Sequence, residues 1–433
     1  MTNDAAIIAA IRGEMALASG CTEPVAVALA CSRAYQEIGG KLESIEVVAD
    51  PGIYKNGFSC IVPGTEEVGL AAAAALGALA GRAELALEVL RDVTNSDVAA
   101  ARHMVERGAV GVHVKKGEPD IYIAARVSTS EGWARVLVRK RHTNVVRIEV
   151  NGELRFQAKR ERVGAVGERH FDVRELRVAD MVRFVADVPF EGVDFVLEAV
   201  QVNKVLARSG LEGNLGVGVG RGMSGLLEEG EIADDLVSSA QLMTASAVDA
   251  RMGGARESAM SIAGSGSHGI IATMPIVAIA EKKGIGDEMM ARAIALSYLI
   301  TIYIKAYSGR LSALCGCAVA AGTGASAGIV FLLGGDGEQI EHSIMNMAAD
   351  ITGIICDGGN LGCAMKAATG VGAAVLCALL ALRGVHVPGN TGIVADTVER
   401  TIANIGRISS PGMLGTNEEI LNLMTEGKNI AEG

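Results

Sequence analysis

The stretch 310-RLSALCGCAVAAGTGASAG-328, with its partner 355-ICDGGNLGCAMK-366, decides how the rest of the chain is read. Four of the eight cysteines fall here, at Cys315, Cys317, Cys356 and Cys363. Gly316 separates the first two, and Gly358, Gly359 and Gly362 lie between the second two. Glycine lets backbone approach a group closely and take φ > 0. Thiolates carried on such turns suit an iron–sulfur cluster or a zinc ion. The spacings Cys-x-Cys and Cys-x6-Cys are not those of a zinc finger, whose paired ligands stand about two to four residues apart. Four thiolates would close a structural site, whereas three would leave one iron of a [4Fe–4S] cluster open. The plain alternative is packing, since a free cysteine is often just a small buried hydrophobe.

Around this stretch the composition is that of a closely packed helical protein. Glycine (55 of 433 residues) and alanine dominate, aromatics are only 3%, and a hydrophobic content of 50% can fill a large core. We expect an α+β fold. A large Ala/Gly-rich helical domain, residues 211–433, carries the cysteine site. Residues 1–210 form an α/β region that includes a smaller antiparallel-sheet lobe near residues 109–160. A net charge of −11 argues against a nucleic-acid partner. The N-terminus has no secretory apolar stretch, and the apolar runs near 269–280 and 367–382 fall short of the roughly 18–20 residues of a membrane span. A cytoplasmic location follows as the expectation, with no membrane partner and no disulfide framework. The Ala/Gly-rich helices point to a homodimer through composition alone.

Local patterns place the elements. Helices are expected over residues 3–16, from about Pro24 to Ile38 with a stop at Gly39-Gly40, over Glu66–Ala80 and over Asp97–Arg107. Strands are expected at Ser44–Asp50, at Gly57–Pro63 where Phe58, Cys60 and Val62 alternate, and through the sheet lobe. Asn151-Gly152 is a two-residue hairpin signal. The polar tract Lys159–His170 reads as the lobe's exit loop. The glycine-rich run Gly213–Gly225 has no clear preceding strand and no following GK[ST], so it reads as a tight connection or packing segment and not a phosphate loop.

Two further places carry chemistry. Cys21 lies in the polar turn Ser19-Gly20-Cys21-Thr22-Glu23 directly before a helix, where backbone N–H groups stabilise a thiolate. It suits a nucleophile, a base or a ligand; Glu23 beside it is either a favourable first-turn acid or a catalytic group. Gly264–Gly269 offers Ser265, Gly266 and Ser267 with flexible N–H groups ahead of a helix, a fitting seat for a carboxylate. His268 in that turn is a candidate acid/base group. Lys305, Arg310 and Lys366 flank the cysteines and could balance an anionic cluster or substrate. Cys31, Cys60 and Cys377 sit within regular elements and read as core. An open cluster, a thiolate and an anion-binding turn together suit removal of a β-substituent from a small carboxylate.

SGCTEPVAVALA (19–30), AGSGSHGI (263–270), and the two cysteine segments, in this order, resemble the L-cysteine desulfidase family, which is related to the α domain of iron–sulfur L-serine dehydratases. The resemblance extends over essentially the whole chain. It implies a [4Fe–4S] enzyme without pyridoxal phosphate that converts the amino acid L-cysteine to pyruvate, ammonia and sulfide. It also implies cluster ligation by Cys356, Cys363 and one cysteine of CGC. The pattern GC-x4-G falls on Gly316, Cys317 and Gly322, which favours Cys317 and leaves Cys315 as the alternative. Cys21 matches the family's N-terminal cysteine, a catalytic thiolate; Cys21 and His268 both stand as candidates for the base. An L-serine dehydratase and a metal-stabilised scaffold or sensor remain the alternatives.

Overall fold

The protein is described by a computed structural model covering residues 4–118, 121–158 and 171–426. Helix α1 (Asp4–Glu14) and strand β1 (Ala16–Ser19) lead into α2 (Thr22–Ile38). Next come β2 (Leu42–Ala49), α3 (Pro51–Gly57), α4 (Gly69–Ala80) and α5 (Asn95–Glu106). Five strands follow, β3 (Val110–Val114), β4 (Tyr122–Thr129), β5 (Gly132–Arg139), β6 (Val145–Val150) and β7 (Glu153–Gln157). The chain then turns helical, with α6 (Val178–Asp187), α7 (Leu197–Glu212), α8 (Val219–Glu228) and α9 (Leu236–Met252). Strand β8 (Ser258–Ser261) precedes α10 (Gly266–Lys283), α11 (Asp287–Ser308), α12 (Gly322–Leu332), α13 (Gly337–Ile351) and α14 (Cys363–Ala381). Helices α15 (Val398–Arg407) and α16 (Leu414–Thr425) close it. The class is α+β with helix predominating.

The sheet is larger than the lobe expected from sequence, and it is not purely antiparallel. Its order is β3-β2-β4-β5-β6-β7, and β2 runs parallel to β3. Parallel neighbours need a crossover, which α3, α4 and α5 supply. In β2 the buried Ile45, Val47 and Ala49 alternate with more exposed residues, as a sheet covered on one face requires. The hairpin at Asn151-Gly152 is present, both residues having positive φ. The expected exit loop, Lys159–His170, lies outside the described residues.

Gly57–Pro63 is not a strand. Asp50 accepts hydrogen bonds from the Gly52 and Ile53 amides, and Pro51 sits at the first helical position. A capped turn starts there and carries the chain through Gly57 as α3. Beyond it only Ile61 makes a ladder contact, with Val68. The first helix, expected over residues 3–16, stops at Glu14, and Ala16–Ser19 forms a short strand paired with β8.

Gly213–Gly225 is the tight connection expected. Gly216 and Gly218 take positive φ, and α8 starts immediately after them. The buried Asp249 carboxylate accepts from the Gly218 and Gly220 amides at 3.1 and 3.0 Å, so the position an anion would take is filled by the chain itself. Asp249→Ala strands these amides in a buried setting. Urea denaturation should show a loss of about 1–3 kcal/mol, with iron binding unchanged.

The apolar interior forms two clusters. One joins α1 with the helices from α6 to α15; the other joins α2, α4, the sheet and Leu421 of α16. Cys21 and Cys60 pack with the first cluster, while Val25 and Val62, close to them in sequence, pack with the second. The cysteines converge along this seam. Helices α11 and α14 have the length and apolarity of membrane spans; most of α11 is buried against other helices and α14 packs along α9.

Candidate active site

Three helices direct their N-termini at one cavity of ≈ 80 Å³: α2 starts after Cys21, α10 after Ser265, and α14 at Cys363. Each N-terminus presents unpaired N–H groups and the positive end of a helix dipole, so their convergence favours anions. Neither Cys21 nor Ser265 caps its own helix with its side chain, so among the described residues no N-cap side chain occupies those amides.

The two cysteine loops are tied together by backbone. The Cys315 amide donates to Ile354 O (2.9 Å) and the Cys356 amide to Ala313 O (2.6 Å). Asn360 shapes the second loop: its Oδ1 accepts from the Gly362 amide and its carbonyl from the Cys363 amide. Cys317 lies in a π-helical turn, Gly316–Ala321, that leads into α12; such turns recur at functional sites. All eight cysteines are free thiols, and Cys315, Cys317, Cys356 and Cys363 line the cavity together.

These thiols interact. Donation from Cys317 lowers the Cys315 pKa to about 6, against the effect of burial. The same pairing, with burial, holds the Cys317 thiol well above its ordinary value. Burial raises Cys356, opposed by the Lys55 charge, and raises Cys363 to about 12. Three lysines surround the group. Lys55 donates to the carbonyls of Ser312 (3.1 Å) and Cys356 (2.9 Å), Lys305 donates to Arg310 O (3.1 Å), and Lys366 pairs with Asp357. Burial lowers Lys305 to about 8, with the cysteines opposing.

Among the described residues no three Cys, His, Asp or Glu side chains converge on a point where a single ion would sit. A multi-iron cluster holds its thiolates further apart than one ion does. The donor set fits such a cluster: only thiols, carried on two loops around one cavity, ringed by lysines that offset anionic charge.

Cys21 and Cys60 lie against the second cysteine loop, at Gly359. A Cβ on Gly359 would lie 2.4 Å from Cys60 Sγ and 2.5 Å from Cys21 Sγ, so only glycine fits. Donation from Cys60 lowers the Cys21 pKa; burial opposes it and the Arg251 guanidinium reinforces it. Burial, together with Cys21, keeps Cys60 protonated, and its Sγ lies 2.9 Å from Asn56 O and 3.1 Å from Gly359 O. Arg251, buried at the end of α9, donates to Ser267 Oγ at 2.7 Å. Arg251 Nε and Asn56 Oδ1 are buried without hydrogen-bond partners among the described residues, and both side chains line the cavity. Unpaired buried polar atoms are costly and mark a place for a ligand. His268 Nε2 and Lys305 Nζ both abut Gly316, where a Cβ would lie 2.5 and 3.2 Å from them. Burial and the Lys305 and Arg251 charges push the His268 pKa well below its ordinary value, so its ring is neutral.

Residues 84–422 match the family described as serine dehydratase alpha chain. The chain belongs to the serine dehydratase alpha chain family. A protein of Clostridium botulinum (strain Langeland) named UPF0597 protein is 46% identical over 425 residues, covering 97% of this chain and 98% of its own length. A UPF0597 protein of Clostridium tetani is 38% identical over 426 residues, 98% of this chain and 99% of its own. One of Clostridioides difficile is 39% identical over 420 residues, 96% and 98%.

In this serine dehydratase alpha chain relative, the cavity gathers Cys21, Ser265, Ser267, His268, Cys317, Cys356 and Cys363, with Gly266 as the first residue of α10 behind them. Glu23 is more than a first-turn acid: it is buried, accepts from Asn56 Nδ2 and Thr22 Oγ1 (both 3.1 Å), and lies 3.9 Å from His142 Nε2. Lys55, Asn56, His142 and Arg251 escaped sequence reading, and Cys60, read as core, adjoins Cys21. Two charges, Asp249 and Arg251, in the otherwise uncharged segment TASAVDARM (244–252) are the one signal that would have found Arg251.

Proposed function

We propose that the chain is an iron–sulfur-dependent lyase that removes the β-substituent of a small L-α-amino acid, with L-cysteine giving pyruvate, ammonia and sulfide. Family membership supports a lyase with an iron–sulfur group. The observation that carries the chemistry is the cavity itself: a thiol poised to ionise, a buried arginine and three helix N-termini meet the cysteine loops there. The preference for L-cysteine rests on the resemblance of the four motifs. L-serine, losing water by the same route, is the second reading, favoured by the family's description.

Cys317, Cys356 and Cys363 would hold the cluster, with Cys315 as the alternative to Cys317. When bound, it supplies an iron with a free position, a Lewis acid for the substrate's leaving group or carboxylate. The first-turn amides of α10 and the Arg251 guanidinium receive the carboxylate, and Ser267 fixes Arg251. Cys21 takes the Cα proton as thiolate, held by Cys60 and Arg251. His268, neutral and close to Lys305 beside Gly316, orients the group next to the cysteine turn. Loss of HS⁻ leaves 2-aminoacrylate, which tautomerises to the imine and adds water to give pyruvate and ammonia.

The test is anaerobic purification with iron and acid-labile sulfide analysis, followed by L-cysteine and L-serine assays on one sample. Iron with labile sulfide, and pyruvate formed from cysteine, is the expected result. Pyruvate from serine alone would move the assignment to a dehydratase. Zinc in place of iron with no turnover would leave a scaffold.

The pH profile separates the two candidate bases. Cys21 acts deprotonated, so kcat/KM is lost as pH falls through its lowered pKa, below the ordinary thiol value. His268 stays neutral through that window. His268→Asn should therefore lower the rate yet leave the acid limb in place. Disappearance of that limb would make His268 the base.

A further inference from the structure

A second cavity, ≈ 770 Å³, adjoins the cysteine-lined one, and Lys305 and Arg310 line both. Its walls are the small-residue face of α1 (Ala6, Ala9, Gly13) and the end of α11 (Ile302, Ala306). Where the two cavities meet, one carboxylate is shared by two guanidiniums. Glu14 Oε1 accepts from Arg310 Nη2 at 2.6 Å and lies 3.6 Å from Arg141 Nη2. The Arg310 and Glu14 side chains are only 28% and 16% exposed, so the pair is held against the protein where the cavities adjoin. Arg310 Nη1 lies against Gly264, 2.9 Å from where its Cβ would be, and so touches the turn that opens α10. Adjacent residues of the turn after β5 straddle the boundary. Arg141 lines the outer cavity, while His142 contacts Glu23 inside.

We propose that the outer cavity is the substrate vestibule and that Glu14 and Arg310 form a gate that recognises an α-amino acid by its two charges. This rests on the amino-acid reading above for the substrate class. The gate opens by exchange of partners. An incoming carboxylate takes the Arg310 guanidinium, Glu14 keeps Arg141, and the freed Glu14 oxygens accept the substrate ammonium. Passing inward, the carboxylate moves from Arg310 to the adjoining first turn of α10 and to Arg251. Because a carboxylate and an ammonium must both be matched, neutral amines and dicarboxylates are disfavoured at the gate. Glu14 and Arg310 are thus specificity-determining residues that act before the chemistry.

The route is tested on the anaerobically purified full chain by the rate at which Cys21 is alkylated, read on its own peptide by mass spectrometry. Neutral iodoacetamide and anionic iodoacetate serve as probes. A Cβ at Gly13 meets nothing within 4 Å, so Gly13→Trp projects into the vestibule without disturbing α1. It should slow alkylation of Cys21 by both reagents by roughly tenfold, leaving the residual reaction to local opening. The near-isosteric Glu14→Gln keeps the fold and removes the negative charge at the gate. It should raise the iodoacetate-to-iodoacetamide rate ratio about fivefold, and Arg310→Gln should lower it by a similar factor. With the active enzyme, Glu14→Gln should raise KM for the amino acid far more than it lowers kcat. An unchanged Cys21 rate in Gly13→Trp would overturn the vestibule, because the reagent would then reach Cys21 past the cysteine loops. Unchanged probe ratios in both gate variants would overturn the charge recognition. The alkylation rates stand whatever the substrate proves to be, so failure of the amino-acid reading alone would show as intact gating without amino-acid turnover.

Discussion

Replacing Cys21 by alanine removes turnover by about 10²–10⁴-fold, the span that a positioned general base contributes, while iron content stays at the level of the unaltered chain. The expectation rests on where Cys21 sits. It precedes the first turn of α2, its side chain caps nothing, and its pKa is lowered by Cys60 and Arg251 against the effect of burial. Cys21→Ser tests the same point at nearly constant volume, because a hydroxyl in that place stays protonated where the thiol ionises. It should be nearly as inactive as the alanine variant. Cys60→Ala should be milder: it removes the donor that steadies the Cys21 thiolate but leaves Arg251, so the acid limb of the pH profile moves upward. Exchange of the substrate Cα hydrogen with D₂O isolates the proton-transfer step, and both Cys21 variants should lose it. Full activity of Cys21→Ala with an intact cluster would place the base elsewhere in the cavity.

The parts of this site that could be read from the sequence are those with a local physical signature. The cysteine loops announce themselves through glycines, and the structure shows why. Gly316 leaves room for His268, Gly358 lies against the Lys55 carbonyl, and Gly359 leaves room for Cys21 and Cys60. The turn before α10 was legible for the same reason, as were the Asn151-Gly152 hairpin and the helix stop at Gly39. What escaped notice depends on contacts between distant residues. Lys55 reaches the Cys356 carbonyl and Cys60 the Gly359 carbonyl, each across about three hundred residues of chain. Cys60 alternates with Phe58 and Val62 as a strand residue would, yet the Asp50 cap and Pro51 start a helix just before it. The parallel pairing of β2 with β3 follows from the crossover of α3, α4 and α5, which strand periodicity does not encode. Arg251 and His142 are buried cations or rings whose partners, Ser267 and Glu23, come from other segments. Arg251 and Ser267 lie 16 residues apart with β8 between them, and Glu23 and His142 belong to elements far apart in the chain.

The largest effects on the cofactor should come from the cysteines of the two loops. Cys356→Ser and Cys363→Ser should each lose most of the bound iron, with activity falling by at least about a hundredfold, the upper end of what even an outer-sphere partner costs. Cys363 begins α14 and Cys356 hangs from the backbone tie to Ala313, so neither change should unfold the chain. Cys315 and Cys317 are the instructive pair. Both line the cavity, and the Cys317 thiol lowers the Cys315 pKa, so Cys315 is the more acidic of the two. Acidity alone would choose Cys315. Position argues for Cys317, which is half-buried in the π-helical turn, whereas Cys315 is 5% exposed and bound into the Leu314–Ile355 bridge. If Cys317 is the third ligand, Cys317→Ser loses the cluster like the other two. Cys315→Ser then keeps the iron and changes only its spectrum, because the hydrogen-bonding neighbour of the ligand sulfur has been altered. The reverse outcome would exchange the two roles and move the open iron towards the buried end of the cavity. Loss of iron in all four variants would describe a closed four-thiolate site, and a closed site has no iron free for a substrate. Iron retention across this series therefore tests the lyase reading independently of any turnover assay.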